Sequence, residues 1–210
     1  MFLQRGSATN DRIGSAKAGR LKFSQTICAR CNDTLTQPYD HAWEQLSAHL
    51  HSRWVEIVRI GLFDLTRAFP GRTRAAALDV HLFFVKLFGC KLREDNISVP
   101  LDGFSHALCN RAPHPEVMLQ IVDTSNKYAH LLAARDTPVY TMRNEANQQL
   151  DGATWLYEIP PVGVKVHYIR SGTPLIVRGH SWHPNRPSKI VHLSPIKGAT
   201  EPRAGPKALR

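Results

Sequence analysis

The chain has 210 residues, a formal net charge of +10 and 42% apolar residues. That apolar share excludes a wholly disordered protein, because it is enough to build a hydrophobic core. The longest apolar stretch, residues 75–90, contains Asp79, His81 and Lys86, which excludes a membrane span and predicts a buried helix. We expect a cytoplasmic protein without membrane contact, since no signal peptide is visible and four cysteines do not form a disulfide framework in a chain of this length.

The excess of basic over acidic residues indicates what class of partner the protein binds. Lys and Arg number 27, against 17 Asp and Glu. Such an excess favours a polyanion, because basic side chains that neutralise phosphates release condensed counterions. A generic basic surface, or basic ends of the chain, would give the same count. Nucleic acid, and DNA in particular, is the expected partner, whereas the sequence gives no oligomeric state.

The chain begins with a basic polar arm, residues 1–26, in which Arg5, Arg12 and Lys17 alternate with small and polar residues. Only residues 21–23 have the pattern of a short strand. Two interpretations are open: the arm is simply solvated, or it lies along a phosphate backbone.

Residues 27–180 are predicted to form one α+β domain, and its first part, residues 27–52, is a cysteine knuckle followed by a helix. Cys28 and Cys31 are separated by two residues, a spacing at which both thiolates can bind one metal ion. A structural zinc site needs four ligands, and His41, His49 and His51 are weak candidates for the remainder. Pro38 fits the first helical position. An apolar stripe at helical spacing then predicts packing against a core, with Trp43 as an anchor; it comprises Tyr39, Ala42, Trp43, Leu46 and Leu50.

The part from 53 to 114 is predicted to be helical. Two helices over residues 54–69 and 73–90 are separated by the turn dipeptide Pro70-Gly71, and Gly89 fits a C-terminal cap. The second helix is apolar almost all round, which predicts that it lies at the centre of the domain. A shorter helix is expected over residues 101–109. Cys90 is expected to be a buried small apolar residue, and an unspecific alternative pairs it with Cys109 as metal ligands.

The part from 115 to 180 is predicted to be a small, mainly antiparallel sheet. Apolar residues alternate near 117–121, 139–141, 155–159, 164–169 and 175–177, and Asp151-Gly152 or Ser171-Gly172 would make hairpin turns. Residues 181–210 are rich in Pro, Gly and basic residues, which predicts a largely disordered basic tail with one short strand over 190–193. His180 and His183 are three residues apart and could touch a metal, but the pair is interpreted as incidental because it lies beside Pro184 in an expected loop.

The knuckle resembles a known family. The run Cys28-Ala29-Arg30-Cys31-Asn32, with Thr36, is similar to the second half of the zinc-stabilised HNH endonuclease motif, and residues 36–44 resemble bacterial HNH-endonuclease-like proteins. The resemblance implies that Cys28 and Cys31 are two of four structural zinc ligands. It also implies that Asn32 occupies the catalytic position facing a divalent ion such as magnesium.

The resemblance covers about a tenth of the chain, and its upstream half is missing. In the family a first Cys pair and a His that activates water precede the second pair, whereas residues 1–27 contain no His and no other Cys-x-x-Cys. Either the sequence starts inside the domain, or it is a degenerate relative without catalysis. Both interpretations predict a protein that is inactive as a nuclease in this form.

Three functional classes are therefore open. The first is an HNH-like nuclease or a fragment of one, and the second is a nucleic-acid-binding module without cleavage. The third is an interaction protein in which Cys28 and Cys31 are structural thiols. A redox-active pair is disfavoured, because the helix is expected to begin at Pro38, several residues after the first cysteine.

Overall fold

Five helices and nine strands lie in the part of the chain that the computed structural model describes, residues 2–5, 9–12, 23, 27–125, 133–173, 181–186 and 188–194. The helices are α1 (Gln37–Ser52), α2 (Trp54–Ile60), α3 (Leu65–Ala68), α4 (Thr73–Glu94) and α5 (Asp102–Cys109). The strands are β1 (Phe2–Arg5), β2 (Thr9–Arg12), β3 (Leu62–Asp64), β4 (Val117–Asp123), β5 (Ala133–Asp136), β6 (Tyr140–Arg143), β7 (Leu150–Ile159), β8 (Val162–Ile169) and β9 (Ile190–Ser194). The predicted α+β class is confirmed.

The strands form one mixed sheet in the order β2-β1-β5-β7-β8-β4-β9-β3, with β6 also paired to β7. Pairing is antiparallel except between β1 and β5 and between β4 and β9. The centre of the sheet is β4, β8 and β7, whose long registers run from Val117↔Tyr168 to Asp123↔Val162 and from Gly152↔Ile169 to Ile159↔Val162. This sheet is larger than the small sheet expected from residues 115–180, because strands from both ends of the chain and from the helical part join it.

Helix α4 packs against one face of this sheet and forms the core. The Phe88 ring stacks on Trp155 of β7 with 6.3 Å between centroids, and Phe84 meets Tyr157 edge to face. Trp43 of α1 is buried against the Phe84 ring, at 4.7 Å between centroids. The apolar stripe of α1 therefore packs as predicted, and Trp43 is an anchor.

Two ion pairs hold helices in place around α4. The Lys86 ammonium, which is buried, pairs with Asp40 in the first turn of α1. Asp79, also buried, accepts two hydrogen bonds from the Arg111 guanidinium, at 3.0 and 2.9 Å. These pairs fix α1 and the loop after α5 against the same helix.

The prediction of one helix over residues 54–69 is wrong. Gly61 ends α2 in a left-handed conformation with φ 78°, and the next residues form strand β3. Phe63 in β3 is opposite Val191 in β9. Pairing with a strand from the far end of the chain therefore overrides the local helical pattern.

Helix α4 is longer than predicted, so Gly89 and Cys90 lie inside it and not at its end. A Cβ at residue 89 would lie 3.3 Å from Cδ1 of Phe104. Gly89 therefore allows α5 to approach α4 closely, and it does not cap the helix. Cys90 is half-buried.

The predicted hairpin turn at Asp151-Gly152 is also wrong, since both residues lie inside β7. The connection between β7 and β8 is the dipeptide Pro160-Pro161, which has a cis peptide bond. The strand expected over 175–177 lies outside the described residues. Ser171-Gly172 does form a turn after β8, with φ 83° at the glycine.

Both ends of the chain contribute more structure than expected. Residues of the arm form β1 and β2, while Phe23 is in no strand and 21–22 lie outside the described residues. In the expected disordered tail, Trp182 is buried and exchanges two backbone hydrogen bonds with Leu119, at 2.6 and 3.0 Å. The strand predicted over 190–193 is confirmed as β9. Residues 195–210 lie outside the described part.

None of the helices in the described residues combines the length and apolar character that crossing a membrane requires.

Candidate functional site

Cys28 directly precedes a helical turn that begins at Ala29 and contains Cys31. The turn continues as a π-helical segment, Cys31–Leu35, and leads into α1. The backbone N–H of Cys31 donates to the Cys28 sulfur at 3.2 Å. The expectation that helical structure starts only at Pro38 is therefore wrong, because Cys31 already lies in a helical turn that Cys28 directly precedes.

The two thiols differ in exposure and acidity. Cys28 is exposed and Cys31 is half-buried. Hydrogen bonds from the Cys31 thiol and backbone lower the pKa of Cys28, with help from the nearby Arg30 charge. The same thiol–thiol bond raises the pKa of Cys31, as do burial and the neighbouring thiols of Cys28 and Cys109. Cys28 is thus the more acidic and more accessible sulfur.

Asn32, the predicted catalytic residue, is the next residue of the same turn. Its side-chain amide is exposed and donates to the Asp33 carboxylate at 3.1 Å. Its backbone N–H donates to the Cys28 carbonyl at 2.9 Å. The amide thus lies beside the cysteine pair, in contact with a carboxylate of its own turn.

The donors near this turn do not complete a zinc site. Among the described residues, no three His, Cys, Asp or Glu side chains are grouped so that they could hold a metal ion. His41 contacts Glu44, and His51 bonds to the Ser47 and Ile159 carbonyls. Two thiols of suitable chemistry are fewer than the four ligands of a closed zinc site.

The proposed second metal pair, Cys90 and Cys109, is divided between two helices. Cys90 lies in α4 beside the Ile27 backbone, and burial raises the pKa of its thiol. Cys109 is exposed at the end of α5 and lies near Cys31. Each of these cysteines therefore approaches a different end of the cysteine turn.

The resemblance to HNH endonucleases rests on residues of this turn and the start of α1. No protein-family model, curated protein or solved structure matches the chain. Zinc at Cys28 and Cys31, a divalent ion and a catalytic role for Asn32 therefore stay predictions.

A second candidate site, which the sequence did not indicate, is a cavity of about 330 Å³ at the start of α4. We call it the basic cavity, since Arg74, Arg186 and Lys189 line it and none of the described residues that line it is acidic. Its apolar wall includes Leu65 and Trp182. The three cations come from α4 and from the segment before β9, so only the fold brings them together.

The basic cavity has a positive electrostatic character from both side chains and backbone. All three cationic residues are exposed, and Arg186 also donates a hydrogen bond to the Ser181 carbonyl at 2.6 Å. Helix α4 begins here without a side-chain cap, and the N–H groups of a first helical turn carry partial positive charge. Asp64, an acid that interacts with Lys189, accepts a hydrogen bond from the Thr66 N–H at 2.8 Å, and this bond lowers its pKa, with smaller effects from Arg67 and Lys189.

Three buried histidines lie between α4 and the sheet. His81 accepts a hydrogen bond from the His114 backbone N–H at 3.1 Å, and the His183 ring bonds to the His114 carbonyl at 3.1 Å. Burial lowers the pKa of all three imidazoles, so they are neutral near pH 7. They connect the segment after residue 181 to the core, so His183 has a structural role, while its expected partner in a histidine pair, His180, lies outside the described residues.

Proposed function

We propose that the protein binds nucleic acid, DNA foremost, through phosphate contacts at the basic cavity. The observation that supports the proposal is the juxtaposition of Arg74 and Lys189, both exposed, at the uncapped start of a 22-residue helix. Phosphate oxygens accept hydrogen bonds from Lys, Arg and helix N-terminal N–H groups, and these contacts position a duplex without reading its sequence.

The charge of the whole chain supports the same partner. The net charge of +10 raises the local concentration of a polyanion around the protein, and each neutralised phosphate releases counterions. Within the part of the chain that the structure describes, no residue that lines the cavity carries a carboxylate that would repel a phosphate. Asp64 reduces the positive field at one edge, which leaves Arg74 the less compensated cation.

The proposal covers binding without cleavage. Hydrolysis by the HNH mechanism needs a general base and a metal ion, and the described residues group no set of metal ligands around Asn32. A nuclease activity would therefore depend on residues outside the described part or outside this sequence. Asn32 stays a predicted catalytic residue only within that alternative.

The test compares two double variants of equal charge. Arg74→Gln with Lys189→Gln removes two cations from the cavity, while Arg59→Gln with Arg143→Gln removes two exposed cations from α2 and β6. Affinity for a short duplex is measured from 50 to 300 mM salt. If each cavity residue contacts one phosphate, the slope of log affinity against log salt falls by about 1.8 and affinity at 0.1 M salt falls about 60-fold.

The control pair should change the slope much less, because α2 and β6 are not part of the cavity. Equal losses in the two pairs would show that binding depends on diffuse charge and would overturn the assignment to the cavity. An affinity that is independent of salt in the unmutated protein would overturn nucleic-acid binding by phosphate contacts altogether.

A further inference from the structure

The cysteine turn combines two thiols in a geometry that a covalent bond can join. Residues three apart on a helix are neighbours on its surface, and a disulfide needs Cα atoms about 4.4–6.8 Å apart. The Cys31 N–H points at the Cys28 sulfur, 3.2 Å away, so the first side chain already folds back over the second cysteine. The π-helical segment contains no buried residues, so the turn can adjust without disturbing the core.

We propose that Cys28 and Cys31 form a reversible disulfide, which makes this turn a site of thiol–disulfide exchange whose substrates are disulfide-bonded molecules. The proposal is independent of nucleic-acid binding, because it rests on different residues.

Solvent exposure determines which of the two thiols reacts first with an external disulfide. Cys28 is exposed and its sulfur accepts the Cys31 N–H, a bond that stabilises a thiolate. Cys31 is half-buried and adjacent, so an external disulfide reaches Cys28 first. Cys28 is therefore the attacking residue and Cys31 the resolving residue.

The exchange needs a disulfide oxidant, for which glutathione disulfide is a suitable probe. The Cys28 thiolate attacks one sulfur of the probe, the probe's S–S bond breaks, and one glutathione leaves as a thiolate that takes up a proton. Cys31 then loses its proton and attacks the Cys28 sulfur, which breaks the mixed disulfide and releases the second glutathione. The protein loses two electrons and two protons, and one glutathione disulfide becomes two thiols.

Trypsin offers a direct readout because Arg30 lies between the two cysteines. The full-length protein is incubated with glutathione disulfide, free thiols are blocked by alkylation, and the digest is analysed by mass spectrometry. We expect the peptide that ends at Arg30 to remain joined to the peptide that begins at Cys31, with no glutathione attached. Cys31→Ser should instead retain one glutathione on Cys28.

Further variants make the assignment specific. Cys28→Ser should react on the order of tenfold more slowly, since the accessible thiolate is gone. Cys90→Ser and Cys109→Ser should still form the Cys28–Cys31 bond. Persistence of the glutathione adduct on Cys28 in the unmutated protein would overturn the proposal, and so would a disulfide between Cys31 and Cys109.

Discussion

Acidification should destabilise the sheet through His167, which lies in β8. Its Nδ1 is 2.9 Å from the Thr154 hydroxyl, and its Nε2 is buried with no hydrogen-bond partner among the described residues. Burial, with a smaller effect from Lys165, lowers the pKa of His167 from 6.5 to about 4. The folded protein therefore holds this imidazole neutral in a range where the unfolded chain binds a proton.

The sign and size of the effect follow from proton linkage. Above pH 6.5 neither state is protonated at this residue, and its contribution to stability is complete. As the pH falls from 6.5 to about 4, the unfolded state gains the proton first and stability is lost. One unit of pKa difference corresponds to about 1.4 kcal/mol, so the free energy of unfolding should fall by about 3 kcal/mol over this window.

The assay is urea unfolding of the unmutated protein and of His167→Gln at several values between pH 7.5 and pH 4. The variant is expected to differ in stability at every pH, and only the pH dependence of that difference is informative. The other buried histidines and the carboxylates are present in both proteins, so their effects on stability cancel in the difference. A difference that stays constant from pH 6.5 to pH 4 would refute the reasoning, as would one in which the unmutated protein gains stability on acidification.

Three further substitutions test the packing, each by urea unfolding. Gly163→Ala should cost about 1–3 kcal/mol, because the new Cβ would lie 2.7 Å from the Thr124 methyl carbon. Asp40→Ala should cost about 3 kcal/mol, since it leaves the buried Lys86 ammonium without a carboxylate and with only the Thr36 hydroxyl, at 3.4 Å; adding Lys86→Met should recover part of that loss. Phe88→Ala should cost about 3–5 kcal/mol by leaving a cavity in the core.

Each of these predictions has a contrary outcome. A neutral Gly163→Ala would mean that the neighbouring strand and loop shift to accept a methyl group. A double variant no more stable than Asp40→Ala alone would show that the ion pair is not the cause of the loss. A Phe88→Ala cost below about 1 kcal/mol would place α4 at the edge of the core and not at its centre.

Local patterns predicted the elements whose partners are close in the sequence. The stripe of α1, the apolar run of α4 and the alternation in β4 and β8 all follow from periodicity, because burial on one face selects those residues. Periodicity failed at β3, where the same apolar residues suit a helix or a strand. Pairing with β9 decides between them, and β9 lies near the other end of the chain.

The two candidate sites also differ in whether a local sequence pattern indicated them. Spacing alone indicated that Cys28 and Cys31 lie close enough to act together, since two thiolates at this spacing can bind one metal ion. The basic cavity left no local signal, because Arg74 and Lys189 are far apart in the sequence and each resembles any exposed cation. No local pattern indicated that His183 is buried either, because the residues that cover it come from distant parts of the chain.

By itself, the sequence determined the α+β class, the central helix, the close spacing of two cysteines and a basic net charge. Those properties depend on residue type and short-range spacing, which any conformation preserves. Tertiary structure alone decided that cations from α4 and from the segment before β9 share one cavity, and that helical structure starts directly after Cys28. Both depend on which segments bury each other's surfaces, and such contacts join residues that no local pattern relates.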